Sequence, residues 1–167
     1  VEKLKWFNHK YLQEEKDEKI ADQLMGARQE LKTVNKEVVV RAVRLTKERA
    51  NTLNEIWSLC GYLFTQPINY NEKTLKKIST ALTVDILGEL CKKLESVKTF
   101  KETEISTSVK AWINESERGF GSVMQPARLA LVGELKGLDL YLIFEFLGKK
   151  ESMLRLNLLI ENIKASV

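Results

Sequence analysis

Thr52-Leu53-Asn54-Glu55-Ile56-Trp57-Ser58-Leu59-Cys60-Gly61-Tyr62-Leu63-Phe64 is the stretch that decides the fold class. Its apolar residues Leu53, Ile56, Trp57, Cys60, Leu63 and Phe64 recur three or four positions apart, which places them on one face of an α-helix. Thr52 followed by Glu55 is a capping-box pattern, and Pro67 stands shortly after the end. The rest of the chain obeys the same spacing. Leu87, Leu90, Cys91, Leu94 and Val97 form a second stripe. Ile105, Val109, Trp112 and Ile113 form a third, preceded by a Thr99 to Glu102 pattern that reads as another capping box. Asp17 and Asn35 are N-cap candidates for helices over roughly 18–31 and 36–48. Gly119-Phe120-Gly121 reads as a break, and Pro126 is expected in the first turn of the helix that follows. Asp139 is placed to cap a helix bearing Leu140, Ile143, Phe144 and Leu147, which Gly148 would end, leaving a last helix to about 164.

With two prolines and eight glycines in 167 residues, long stretches run unbroken. The chain is expected to be all-α, in two helical subdomains over 1–64 and 65–167. The boundary falls in Thr65 to Tyr70, where a proline and two asparagines interrupt the pattern. Apolar residues make up 44% and charged residues 30%, the composition of a folded soluble protein rather than a disordered one. No apolar run approaches the length of a membrane span, and a cytoplasmic location is expected. Cys60 and Cys91 have no second cysteine nearby, so buried free thiols are expected rather than a metal knuckle or a disulfide framework. The chain begins at Val1 close to an amphipathic motif, and reads as a piece of something longer.

Catalytic groups are sparse. His9 is the sole histidine, which excludes a histidine-rich metal cage and leaves any Ser/His or Cys/His arrangement resting on one side chain. Glu14-Glu15 and the acidic run Glu102 to Glu104 lie among lysines at predicted helix ends, as solvated faces do. Gly119-Phe120-Gly121 lacks the spacing of a phosphate loop. A net charge of +4 and a pI near 9.0 permit attraction to a polyanion. Arg49 follows the basic residues Arg41, Arg44 and Lys47 and precedes the break at Asn51-Thr52, so its guanidinium reaches past a helix end. Arg128 lies one turn into the helix expected after Pro126. Trp57 and Trp112 sit in apolar stripes and read as packing residues.

Three segments carry a resemblance: Lys3-Leu4-Lys5-Trp6-Phe7-Asn8, the run from Val123-Met124-Gln125-Pro126-Ala127-Arg128 to Gly133-Glu134-Leu135-Lys136-Gly137, and Leu147-Gly148-Lys149-Lys150-Glu151. In that order and spacing they closely resemble the carboxy-terminal part of bacterial glutamyl-tRNA synthetases, over essentially the whole chain. The family's nucleotide-binding fold and its ATP-handling signatures are absent. The resemblance implies an anticodon-binding domain whose partner is the anticodon loop of tRNA(Glu), in a monomeric protein that binds neither DNA nor membrane. It implies a parent ligase that uses ATP and Mg to attach glutamate to tRNA, and a fragment that holds no cofactor, metal or catalytic residue and is inactive alone.

At the residue level, the resemblance places Arg49 where the family reads the third anticodon base in enzymes specific for glutamate tRNA. Members that accept glutamine tRNA as well tend to carry glutamine there. The chemistry fits, because cytosine offers O2 and N3 as acceptors to a donor-only guanidinium, whereas guanine offers N–H donors on that edge. A salt bridge to a helix carboxylate is the alternative role for Arg49. Arg128, with the loop Gly137-Leu138-Asp139-Leu140, matches the contact to the first two bases. Many relatives have proline where Leu138 stands, and leucine is expected to keep an apolar surface while loosening the backbone. Leu140 either supports a base or belongs to the core. Trp6, Phe7 and Tyr11 read as core, with Lys5 and Lys10 as RNA-backbone contacts. Two rival readings are a helical protein-interaction module without RNA specificity and a self-contained enzyme.

Overall fold

Local capping decides where most helices begin. The computed structural model describes residues 9–166, so Lys5, Trp6, Phe7 and Asn8 lie outside the described residues. Within it every regular element is helical, as the apolar periodicity predicts. The chain divides into two compact units between Thr65 and Gln66.

In the first unit, helical residues 9–14 precede α1 (Asp17–Ala27), α2 (Lys36–Thr46) and α3 (Leu53–Cys60), with one-turn 3-10 segments at Gln29–Leu31, Lys47–Arg49 and Gly61–Leu63. Asn35 caps α2, its side chain accepting from the Glu37 N–H at 2.8 Å. Thr52 caps α3 through the Glu55 N–H at 3.1 Å. The reciprocal half of that box lands one residue early, since Glu55 accepts from the backbone and side-chain nitrogens of Asn51 at 2.7 and 2.9 Å. Asp17 is not the N-cap of α1 but its first residue, and the helix stops at Ala27 rather than near 31. The Asp17 carboxylate is taken by cations instead, Arg44 at 3.2 Å and Lys47 at 3.1 Å. Ile20, Leu24, Leu31, Val39, Val43 and Ile56 fill the core without exposure. Each such side chain contributes on the order of 1.5–3 kcal/mol relative to exposure. Cys60 lies among them, and burial pushes its thiol up to about 12.

The second unit contains α4 (Glu72–Ile78), α5 (Ala81–Ser96), α6 (Glu102–Glu115), α7 (Phe120–Val132) and α8 (Leu140–Ser166). α5, α7 and α8 pack on one another, and α6 closes against α5 and α8. Leu87, Leu90, Leu94, Ile105, Leu129, Leu131 and Phe144 form the centre. Gly148 breaks α8 with φ 75° and ψ 168°, a conformation open to glycine and to little else, so one helical run contains two helices. Asp139 caps the first of them through the Tyr141 N–H at 2.8 Å.

Two expectations fail here. Thr99 does not cap α6; that helix starts at Glu102, whose N–H is capped at 2.7 Å by Glu145 of α8. Thr99 instead donates its backbone N–H and hydroxyl to Glu104, while Phe100 takes φ 53° to make the turn. Pro126 is not in a first turn, because α7 already begins at Phe120 after the N-cap Gly119. The break is Gly119 alone, and the proline sits mid-helix, where it has no N–H to offer the Ser122 carbonyl.

Candidate nucleic-acid interface

Arg49 lies in the 3-10 turn that ends α2, and side chains distant in sequence hold that turn on both sides of it. Gln13 donates to the Lys47 carbonyl at 2.9 Å. The His9 ring nitrogen Nδ1 meets the Ala50 carbonyl at 3.1 Å, in the geometry of an Nδ1–H donor. The Lys47 ammonium donates to the Glu15 carbonyl at 2.6 Å and to Asp17 at 3.1 Å. Burial alone would raise the Asp17 carboxyl, but hydrogen bonds from Lys47 and Arg44 outweigh it and hold the group below its ordinary value. Arg49 is exposed on this braced turn and makes no ion pair or hydrogen bond among the described residues. The guanidinium is held at its base and open at its tip.

The flank of the same unit departs from expectation. Tyr11 is half exposed rather than core, its hydroxyl donating to Glu15 while Leu12 takes the buried position. Lys10 is exposed and stands 3.8 Å from Glu14. Trp57 packs, but against a ring and a cation: Phe64 stacks on it at 6.2 Å and the Arg28 guanidinium lies 5.3 Å from its centroid.

In the second unit the structure brings together Arg128, Gly137, Leu138 and Leu140. α7 ends on Gly133 at φ 88°, where the loop is tied down by the Asn71 N–H donating to the Gly133 carbonyl at 2.7 Å. Arg155, 2% exposed, donates to the Leu131 carbonyl at 2.8 Å and to Glu151 at 2.7 Å. At the far end of the loop, Arg128 Nη1 donates to the Leu138 carbonyl at 2.7 Å. Leu138 is 6% exposed and Leu140 2%, so both side chains point into the core. Leu138 therefore presents no apolar surface. The rigidity a proline would give this loop comes here from a buried leucine and an arginine on its carbonyl. Gly137, exposed at φ 127°, leaves backbone at the surface.

The same loop and α7 border an open surface cavity of about 440 Å³ whose lining includes Arg128, Gln125, Asp139 and Tyr141 together with Phe120 and Leu135. Burial, with a smaller push from Asp139, raises the Tyr141 phenol. Its hydroxyl remains a donor toward Met124 sulfur at 3.9 Å. Sequence reading singled out neither Phe120 nor Leu135. The signal the sequence offers there is an aromatic between two glycines, which reads as a break. Among the described residues there is no group of three or more His, Cys, Asp or Glu side chains able to hold a metal ion, and no helix long and apolar enough to cross a membrane.

The helical scaffold that carries Arg49 and Arg128 has a counterpart in known proteins. The sequence profile of the family described as an anticodon binding domain matches residues 3–160, and the chain belongs to that family. Among individual proteins it is 38% identical over 156 residues to the glutamate–tRNA ligase of Flavobacterium psychrophilum, covering 93% of this chain and 31% of that enzyme. The glutamate–tRNA ligase of Flavobacterium johnsoniae is 40% identical over the same shares. A crystal structure of a glutamate tRNA ligase from Elizabethkingia meningosepticum in complex with its amino acid superposes with a TM-score of 0.84 at 34% identity, over 95% of this chain and 32% of that one. The chain thus spans about a third of the length of the relatives it matches.

Proposed function

We propose that this chain is the anticodon-reading part of a glutamate–tRNA ligase and that its ligand is the anticodon loop of tRNA(Glu). The observation that carries the reading is the Arg49 turn: three side chains brace its backbone while the guanidinium projects without a partner among the described residues. Such pre-organisation suits a residue that must meet one base edge in one orientation, because little freedom is lost on binding. Arg49 reads the third anticodon base, favouring cytosine over guanine by matching donors to acceptors. Arg128, with the backbone of the Gly137 to Leu140 loop, meets the first two. Base contacts of this kind specify, while exposed lysines such as Lys10 only follow the phosphates. The residue assignments at Arg49, Arg128, Gly137, Leu138, Leu140, Lys5 and Lys10 are all part of this proposal.

The parent enzyme would couple glutamate to the tRNA using ATP and Mg²⁺, in a domain this chain does not include. Here the chain's own residues bind and orient, so that binding energy far from the reacting end selects the tRNA. The test is binding to a glutamate-tRNA anticodon stem-loop and to the same stem with a scrambled loop, at two salt concentrations. Preference for the native loop that survives higher salt supports base reading. Equal binding with a steep salt slope means attraction to phosphate alone, and the reading fails.

A further inference from the structure

We propose that Arg155 is a positioning residue for anticodon reading: its buried guanidinium fixes where α7 ends, and with it where Arg128 and the Gly137 to Leu140 backbone stand. The proposal rests on the anticodon reading above. At 2% exposure, Arg155 is the sole charged side chain buried among the described residues. Taking a guanidinium out of water is costly, and an apolar side chain of similar volume would serve packing as well. What the arginine adds is direction. Its Nη1 donates to the Leu131 carbonyl at 2.8 Å and its Nε to Glu151 at 2.7 Å. Leu131 stands in the last turn of α7, where carbonyls have no partner within the helix. The Gly133 N–H takes the Leu129 carbonyl at 2.8 Å, and Arg155 takes that of Leu131. A cation at this end of a helix also complements its dipole. The cap of α7 is thus supplied by α8, 24 positions further on.

The loop between α7 and α8 is held at both ends by guanidinium groups. Arg155 holds its start at Leu131, and Arg128 holds its far end at the Leu138 carbonyl, 2.7 Å away. Arg128 lies one turn before Leu131 on the same helix, so any shift of that last turn carries Arg128 and its grip on Leu138 with it. Gly148 makes this tie necessary. It breaks α8 at φ 75° and ψ 168°, and Arg155 stands beyond the break while Asp139 and Leu140 stand before it. The Leu131 bond therefore ties α7 to the second helix of α8, whereas the loop runs into the first. Glu151, one turn before Arg155, fixes the orientation of the guanidinium. The segment preceding α4 joins the same anchor: Tyr70 lies within reach of the Arg155 charge, and the neighbouring Asn71 N–H donates to the Gly133 carbonyl at 2.7 Å. Buried as it is, Arg155 meets no RNA and acts through Arg128.

The experiment measures affinities of this chain for glutamate tRNA transcripts substituted at the first, second or third anticodon base. Arg155→Met is expected to lower discrimination at the first two bases by roughly fivefold, the worth of one net hydrogen bond. Preference at the third base, which belongs to Arg49 in the other unit, should stay within about twofold of wild type. A merely structural role would not spare one position and lose the others. Arg155→Lys keeps the cation and a donor toward Leu131, and its discrimination should fall between those of wild type and Arg155→Met. Should Arg155→Met prove unfolded by circular dichroism, Glu151→Leu replaces it. The Glu151 side chain is 36% exposed, so this change leaves the fold standing while freeing the guanidinium. It should show the same selective loss, and Glu151→Gln, which keeps an acceptor, should behave as wild type. If the folded variant discriminates the first two bases as wild type does, the positioning role is overturned and the anticodon reading stands. Equal loss at all three bases overturns it too. A wild-type chain indifferent to the first two bases would overturn both the Arg128 assignment and the role of Arg155.

Discussion

Gly133→Ala tests the anchoring of the Arg128 loop through a backbone position that only glycine fits. At φ 88° the new residue sits in the left-handed region, and its Cβ would stand 3.0 Å from the Asn69 carbonyl oxygen and 3.0 Å from the Pro67 Cβ. Left-handed geometry costs an L-residue roughly 1–2 kcal/mol. The backbone oxygen cannot yield, so the 67–71 segment must shift. That movement strains the Asn71 N–H to Gly133 carbonyl bond of 2.7 Å, worth a net of about 1 kcal/mol. The total is about 2–3 kcal/mol, or a melting temperature lower by roughly 10–20 °C for a unit of this size. Gly88→Ala in α5 is the matched control. It has nothing within 4 Å of the new Cβ and no positive φ, so it should stabilise by about 0.5–1 kcal/mol. Urea and thermal unfolding followed by circular dichroism measure both. A Gly133→Ala variant within about 0.5 kcal/mol of wild type would refute the anchoring argument, as would two variants that shift in the same direction.

Gln13→Ala removes the 2.9 Å bond to the Lys47 carbonyl and should reduce third-base preference by up to about fivefold, since a net hydrogen bond of about 1 kcal/mol holds that turn; competition binding with the two transcripts reads it. The Asp17 carboxyl is held below its ordinary value of 3.8. Its contribution is therefore complete above that value and is lost as pH falls through the lower folded one. Asp17→Asn should flatten the acid limb of the first unit's stability curve, as acid titration followed by circular dichroism would show. Cys60 and Cys91 are buried, with thiols pushed up to about 12 and about 11. Neither should react with a thiol reagent at pH 8 until urea unfolds the chain, and rapid labelling of the native protein would contradict the packing.

Features set within one turn of chain were legible in the sequence. Thr52 to Glu55, Asn35 and Asp139 name their own helix starts, because the donors they satisfy lie two or three residues away. Gly148 marked the break in α8 for the same reason. What failed depended on residues far off. The N-terminus of α6 is capped by Glu145, 43 positions away, so the local Thr99 pattern points to a start two residues too early. Asp17 looked like a cap until Arg44 and Lys47 claimed it. α4 was not predicted, since Ile78 is its sole buried residue and seven positions are too few for a periodic stripe.

At the candidate site, Arg49 and Arg128 were visible as arginines beside breaks, and the family resemblance gave them roles. Their surroundings were not visible. No spacing rule pairs Gln13 with Lys47 or Arg128 with the Leu138 carbonyl. Leu138 looked like a loosened proline site because its burial is a tertiary fact. Phe120 was hidden by its glycine neighbours, which read as a break although α7 runs through Phe120 and Gly121.

The most direct test of anticodon reading is a set of four affinities: wild type and Arg49→Gln, each against glutamate tRNA with C and with G at the third anticodon position, at two salt concentrations. The wild type is expected to prefer C by at least about tenfold, the scale of a good arginine-to-base contact, and Arg49→Gln to erase the difference without changing the fold. Equal affinity for the two tRNAs in the wild type, with binding that falls steeply as salt rises, would contradict it.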